Sequence, residues 1–135
     1  MIDSSVFATG NAGQVSVTAG ELRMNGMGSE TWTGITSGTY PGTTGNANTV
    51  TVEVAGLLEL LNGAQIDSSA YSTGNAGEVK VTAGELRMDR MGSETWTGIR
   101  STTNPGATGH ANTLKIEVAG LLELLNGAQI DSRTY

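Results

Sequence analysis

Residues 2 to 65 of this 135-residue chain recur as residues 66 to 129, and a third copy starts at Ile130 and runs to Tyr135. The period is 64 residues, and 49 of the 64 paired positions are identical. A repeat this faithful constrains the fold more than any local propensity. Each unit presents the same faces to its neighbours, so units stack, and one unit alone cannot enclose its apolar side chains. The chain therefore reads as one repetitive segment over residues 1–135, with repeat one at 2–65, repeat two at 66–129 and the start of repeat three at 130–135.

Each unit divides again. The tripeptide Ile-x-Ser recurs at Ile2, Ile35, Ile66, Ile99 and Ile130, in steps of 33, 31, 33 and 31 residues. A second marker agrees: Gly10-Asn11-Ala12, Gly45-Asn46-Ala47, Gly74-Asn75-Ala76 and Gly109-His110-Ala111 each precede a run of alternating apolar residues. Within those runs Val15 and Val17, then Leu22 and Met24, and likewise Val50, Val52 and Val54, then Leu58 and Leu60, recur at the strand period of two. The 20 glycines, with Asn, Ser and Thr, fill the gaps as turns, several of which require positive φ. The stretch from Val54 to Gly63 carries enough Leu to pass for a short helix. Its counterpart from Ala19 to Gly26 alternates cleanly, so both are expected to be strands.

A repeat built only of strands and turns is a solenoid or a propeller. In a solenoid, equivalent positions become neighbours about 4.8 Å apart. The position after the first inward Leu carries Arg23, Glu59, Arg87 and Glu123, an alternation of sign that favours direct stacking. Five residues after the marker Ile stand Phe7, Tyr40, Tyr71, Asn104 and Tyr135, a column that holds every Phe and Tyr of the chain. The expected fold is all-β, a parallel β-helix of about four coils of 31–33 residues, right-handed by the crossover rule.

Composition narrows the function classes. There is no Cys to staple the chain or mark a redox compartment. The net charge of −6 and the scattered placement of seven basic residues argue against a nucleic-acid backbone or an anionic membrane as partner. No apolar run is long enough for direct membrane insertion, and no signal peptide is recognisable. Met1 stands where the repeat phase calls for Gln, as at Gln65 and Gln129, which suggests a start codon placed on an excised segment whose targeting sequence lay elsewhere.

The phrases Gly63-Ala64-Gln65-Ile66-Asp67-Ser68, Gly74-Asn75-Ala76-Gly77 and Leu124-Leu125-Asn126-Gly127-Ala128-Gln129-Ile130-Asp131-Ser132 resemble the repeats of filamentous-haemagglutinin-like exoproteins of bacterial two-partner secretion. The resemblance covers essentially the whole chain. It implies a right-handed parallel β-helix shaft, exported to the extracellular space or the bacterial cell surface and serving adhesion or display. The amino-terminal secretion domain of that family has no counterpart here, and no catalytic residue carries over.

Several residues invite a functional reading. Stacked rings at Phe7, Tyr40, Tyr71 and Tyr135 could serve as a platform for carbohydrate, although ring stacking also stabilises neighbouring rungs, and Asn104 interrupts the column. Trp32 and Trp96 lie in a longer loop found only in alternate coils. They recur two rungs apart, about 9 to 10 Å, too far to stack on each other. The expected role of each is to cap an apolar corner beside Met27 and its copy, yet such a loop is the best place to look for a bound partner. Asp3, Asp67 and Asp131 could be imagined as lyase carboxylates or calcium ligands, but they too lie two rungs apart, and Asp67 is expected to pair with Arg100. His110 is the only His and replaces an Asn in a column expected to form an amide ladder, so it is a poor metal ligand. Thr49 and Thr51 suggest an ice-binding face, which Lys80 and Lys115 break. No catalytic, cofactor or metal site is expected.

The leading expectation is a structural shaft of a surface adhesin, with Ser4, Ser37, Ser68, Ser101 and Ser132 lining a corner. The rival is a carbohydrate-binding module using the aromatic column or the Trp loops. Because Ile130 repeats the phase of Ile2, the end of one molecule can continue into the start of the next, giving end-to-end self-association. Leu57, Leu61, Leu121 and Leu125 would add a lateral patch if they face outward.

Overall fold

The computed structural model describes residues 1–27 and 32–135. Among the described residues there are eleven strands and no helix: β1 (Ile2–Asp3), β2 (Val15–Ala19), β3 (Leu22–Asn25), β4 (Thr33–Thr36), β5 (Val50–Leu61), β6 (Ala64–Ala70), β7 (Val79–Asp89), β8 (Gly98–Thr103), β9 (Leu114–Val118), β10 (Leu122–Leu125) and β11 (Gln129–Arg133). The first sheet stacks β1, β4, β6, β8 and β11. The second has β5 and β7 at its centre, flanked by β2 with β3 and by β9 with β10. Every pairing between these strands is parallel. The chain alternates between the sheets, which makes it a β-solenoid of about four turns.

The register is the one the markers define. Ile2, Ile35, Ile66, Ile99 and Ile130 oppose one another from rung to rung. On the second sheet Glu59 sits between Arg23 and Arg87 at 3.2 and 3.5 Å, and Glu123 lies 3.8 Å from Arg87. Inward columns form the core. Leu22, Leu58, Leu86 and Leu122 make one and Val15, Val50, Val79 and Leu114 another, facing Ile35, Ile66 and Ile99 across a narrow interior.

The stretch that could have been helical is one strand, β5, with a bulge. Val54 pairs with Ala83 but Leu57 pairs with Glu85, so Ala55 and Gly56 together face the single residue Gly84. A Cβ on Gly84 would lie 2.5 Å from the Ala55 carbonyl oxygen, which is why the crossing needs Gly.

The interior serines do more than line a corner. Ser68 is fully buried; its single O–H is shared between the carbonyls of Ser37 and Asn48 at 2.9 and 2.8 Å, and its Oγ accepts the Gly77 N–H at 3.0 Å. Ser37 and Ser101 repeat the pattern against Gly13 with Asn48 and against Gly77 with Asn112. Each hydroxyl thus ties the first sheet to the opposite bend and satisfies a backbone pair that the bend leaves open. Asn11, Asn46 and Asn75 form the expected ladder, with one amide-to-amide bond from Asn46 Nδ2 to Asn11 Oδ1 at 3.4 Å, but backbone donors carry most of it. Each Oδ1 accepts the backbone N–H of the next rung, at 2.8 to 2.9 Å, and His110 takes the last of these bonds through its own N–H. His110 fits because only its backbone is required.

Two interior hydroxyls, those of Thr39 and Thr103, are buried with no hydrogen-bond partner among the described residues. They share an inward column with Val6 and Ala70. Thr39→Val is therefore expected to raise stability by about 1 kcal/mol, because it removes an unsatisfied buried hydroxyl without changing shape. Chemical denaturation measures this, and a loss of stability would mean that the hydroxyl is hydrogen-bonded.

The lateral apolar patch expected on the second sheet is not there. Leu61 is enclosed at 3% exposure, between Asn25 and Asp89 where the chain turns. Leu57 opposes Glu85, so the exposed Leu121 has no apolar row to join. Past β5 and β10 the chain turns through Asn62-Gly63 and Asn126-Gly127, all four residues at φ between 50° and 85°. The Asn62 amide donates to Asn25 Oδ1 in repeat one, whereas the Asn126 amide donates to Asp89 Oδ1 in repeat two.

Chiefly that Asn126 bond, opposed by burial and aided by the Met91 N–H and the Arg87 charge, holds Asp89 below the ordinary carboxylate range. A carboxyl depressed in the folded state stabilises the fold above its unfolded value, about 3.9, and that contribution is lost as pH falls through the lower folded value. Asp89→Asn restores the pairing of repeat one and is expected to flatten the acid limb of the melting temperature against pH. An unchanged acid limb would show that other carboxylates govern it.

Candidate functional site

The outer face of the first sheet carries the residues with binding chemistry. Side chains alternate across this sheet, so positions two apart along each strand form columns running up the rod. One column reads Asp3, Thr36, Asp67, Arg100 and Asp131. Another, on the far side, is the aromatic column.

Trp96 shows how the near side is built. Its ring lies across Gly98, the first residue of the β8 strand that follows it, where a Cβ would stand 3.1 Å from the ring. Its Nε1 donates to Gln129 Oε1 at 3.0 Å on the next rung, while the Gln65 amide donates to the Trp96 carbonyl at 2.9 Å from the rung before. Trp32 lies over Gly34 in the same way, with a Cβ there 3.0 Å from its ring. Thus Gly34, Gln65, Gly98 and Gln129 alternate so that each ring has a flat seat and each amide a partner. Neither Trp caps a corner with methionine: Met27 and Met91 are 77% and 55% exposed. Residues 28–31 of the first Trp loop lie outside the described residues.

The aromatic column is a stack for three rungs. Phe7 and Tyr40 have centroids 4.1 Å apart, Tyr40 and Tyr71 6.4 Å, both near parallel at 15°. Their faces are turned on one another, which is the structural use of the column. Tyr135 stands apart beyond Asn104, with the Arg133 guanidinium 5.3 Å from its ring centre. Burial first, and then the charges of Asp3, Tyr71 and Asp67, raise Tyr40 above the ordinary phenol range, so it keeps its proton.

Between the two aromatic sides lies a cavity of about 360 Å³, lined by Trp32, Tyr40, Asp67, Tyr71 and Arg100 with small hydroxyl residues. A second, of about 420 Å³, follows along the rod and shares Arg100, with Trp96, Asp131 and Tyr135. The two make one trough. Its floor is charge-balanced. Arg100 Nε and Nη2 donate to the two oxygens of Asp67 at 3.0 and 3.2 Å, and Nη2 also reaches Tyr71 OH at 3.2 Å. Burial opposes the Arg100 charge, but the Asp67 carboxylate and its hydrogen bonds outweigh it and raise Arg100 above its ordinary value. Asp131 and Arg133 form a second such pair, 2.6 Å apart.

The expected Asp67–Arg100 pair is present. Asp3, Asp67 and Asp131 occupy alternate rungs, with Thr36 and Arg100 between them. Ser16, Thr51, Lys80 and Lys115 share one outward column, so lysine does interrupt the threonine row. The trough as a unit, and the part of Gln65 and Gln129 in seating the indoles, did not emerge from the sequence. The signal was the alternation of Gly and Gln one residue before each marker Ile. Comparison with protein-family models, curated proteins and solved structures finds no match for the chain.

Proposed function

We propose that the chain is a length of stiff shaft from a secreted or cell-surface filamentous protein of the haemagglutinin-like exoprotein kind, able to associate end to end. The observation that supports this reading best is the continuity of its columns. Apolar, serine, asparagine and charge columns pass through successive rungs in register, and the terminal rungs leave apolar columns open. Ile2, Leu122 and Leu124 are 46%, 45% and 44% exposed, while Leu58, Leu60 and Leu86, in the same two columns as Leu122 and Leu124, are closed. Such faces are suited to continuation, by further coils or by a second copy entering at the phase shared by Ile2 and Ile130. A contact of that kind is heterologous and does not close, so it yields filaments. Length and stiffness are then the function, with no reaction, cofactor, nucleic acid or inserted membrane segment.

Sedimentation and electron microscopy over a concentration series test this. Growing linear oligomers are expected, and Leu124→Lys, which sets a charge in the open column, is expected to suppress them while leaving the central coils folded. A chain that stays monomeric at high concentration would contradict end-to-end association.

A further inference from the structure

We propose that the trough on the outer face of the first sheet binds an uncharged oligosaccharide in repeat one, with Trp32 as its stacking ring, and that Arg100 covers the equivalent indole, Trp96, in repeat two. The two repeats differ at one decisive position. Arg100 projects its guanidinium over the Trp96 ring, 4.9 Å from the ring centre, so the face of that indole is taken. The equivalent residue in repeat one, four positions after Trp32, is Thr36, which carries no cation to place there. Both indoles line cavities, but the one of about 360 Å³ that Trp32 shares with Tyr40, Tyr71, Asp67 and Arg100 has, among the described residues, no cation supplied by the Trp32 rung itself.

The chemistry of that cavity selects the ligand. Among the described residues its one acid and one base neutralise each other through two hydrogen bonds, so neither charge is left unbalanced there. Among the described residues Asp67 Oδ2 accepts only from Arg100 Nη2, leaving acceptor capacity on a rigidly held carboxylate. Tyr40 keeps its phenolic proton and can donate. A flat apolar ring beside fixed acceptors and donors suits a pyranose, which has an apolar face and a rim of hydroxyls. An extended peptide would need exposed backbone donors and acceptors along the groove. Here the first sheet spends those in its own ladder, so strand addition is confined to the ends of the rod. This site is independent of the shaft reading, since a rod that binds nothing remains a rod.

Calorimetric titration of the whole chain with cellohexaose and chitohexaose, with hexagalacturonate as the charged comparator and tryptophan emission as a second readout, tests the site. Saturable binding to at least one neutral probe is expected, weakened at least about tenfold in Trp32→Ala and equally in Thr36→Arg, which keeps Trp32 but covers it as Arg100 covers Trp96. Trp96→Ala is expected to bind within about twofold of the parent. Circular dichroism melts of each variant separate loss of the site from loss of the fold. No saturable binding to either neutral probe, preference for the galacturonate, or equal loss in Trp96→Ala and Trp32→Ala would overturn the proposal.

Discussion

Leu58→Ala is expected to lower the unfolding free energy by about 2 to 5 kcal/mol. Leu58 is completely enclosed, in a column between Leu22 and Leu86, and its side chain fills the interior between the two sheets. A solenoid core is only as wide as one coil, so neighbours cannot collapse into the vacated space without moving the backbone of adjoining rungs, and much of the cavity should persist. Denaturant unfolding followed by circular dichroism measures the change. The same substitution at Leu122, 45% exposed on the last rung of that column, is expected to matter much less. Equal effects at the two positions would mean that the column does not run as the register places it.

Gly74→Ala is expected to destabilise by about 3 kcal/mol or more, through strain at a backbone conformation that L side chains rarely adopt and through a clash between coils. Gly74 has φ +118°, and a Cβ there would stand 1.9 Å from the carbonyl oxygen of Gly45 on the preceding rung. The obstacle is backbone, so no rotamer change relieves it, and the coils must part. Gly20→Ala is the matched control, since a Cβ there meets nothing within 4 Å. Its effect should stay within about 0.5 kcal/mol.

These two residues also mark what could be read from the sequence. Leu58 was legible because strand alternation is a local pattern and the repeat supplied its partners, Leu22 and Leu86, directly. The charge ladder through Glu59 was legible for the same reason. Gly74 was legible only as a turn. That its missing Cβ makes room for the Gly45 carbonyl depends on the separation of rungs, which alternation does not encode. The bulge at Ala55-Gly56 was hidden because one extra residue between two apolar runs looks the same whether it bulges or lengthens a turn. The aromatic column was found, but the direction of its rings was not. Stacking at 4.1 Å between Phe7 and Tyr40 uses up the faces a ligand would need. Trp32 and Trp96 looked alike until the structure placed Arg100 over one of them. A substitution four residues away along the chain acts through space, across the seat that Gly98 provides.

If stacking of 64-residue units is the whole architecture, length should follow unit number and width should not. Small-angle X-ray scattering from chains carrying one, two and four additional copies of residues 66–129 measures both together. Each copy is expected to lengthen the rod by two rungs, about 9.6 Å, at constant cross-sectional radius. A cross-section that widens as copies are added, with overall dimensions growing as those of a compact globule, would contradict the solenoid and with it the shaft.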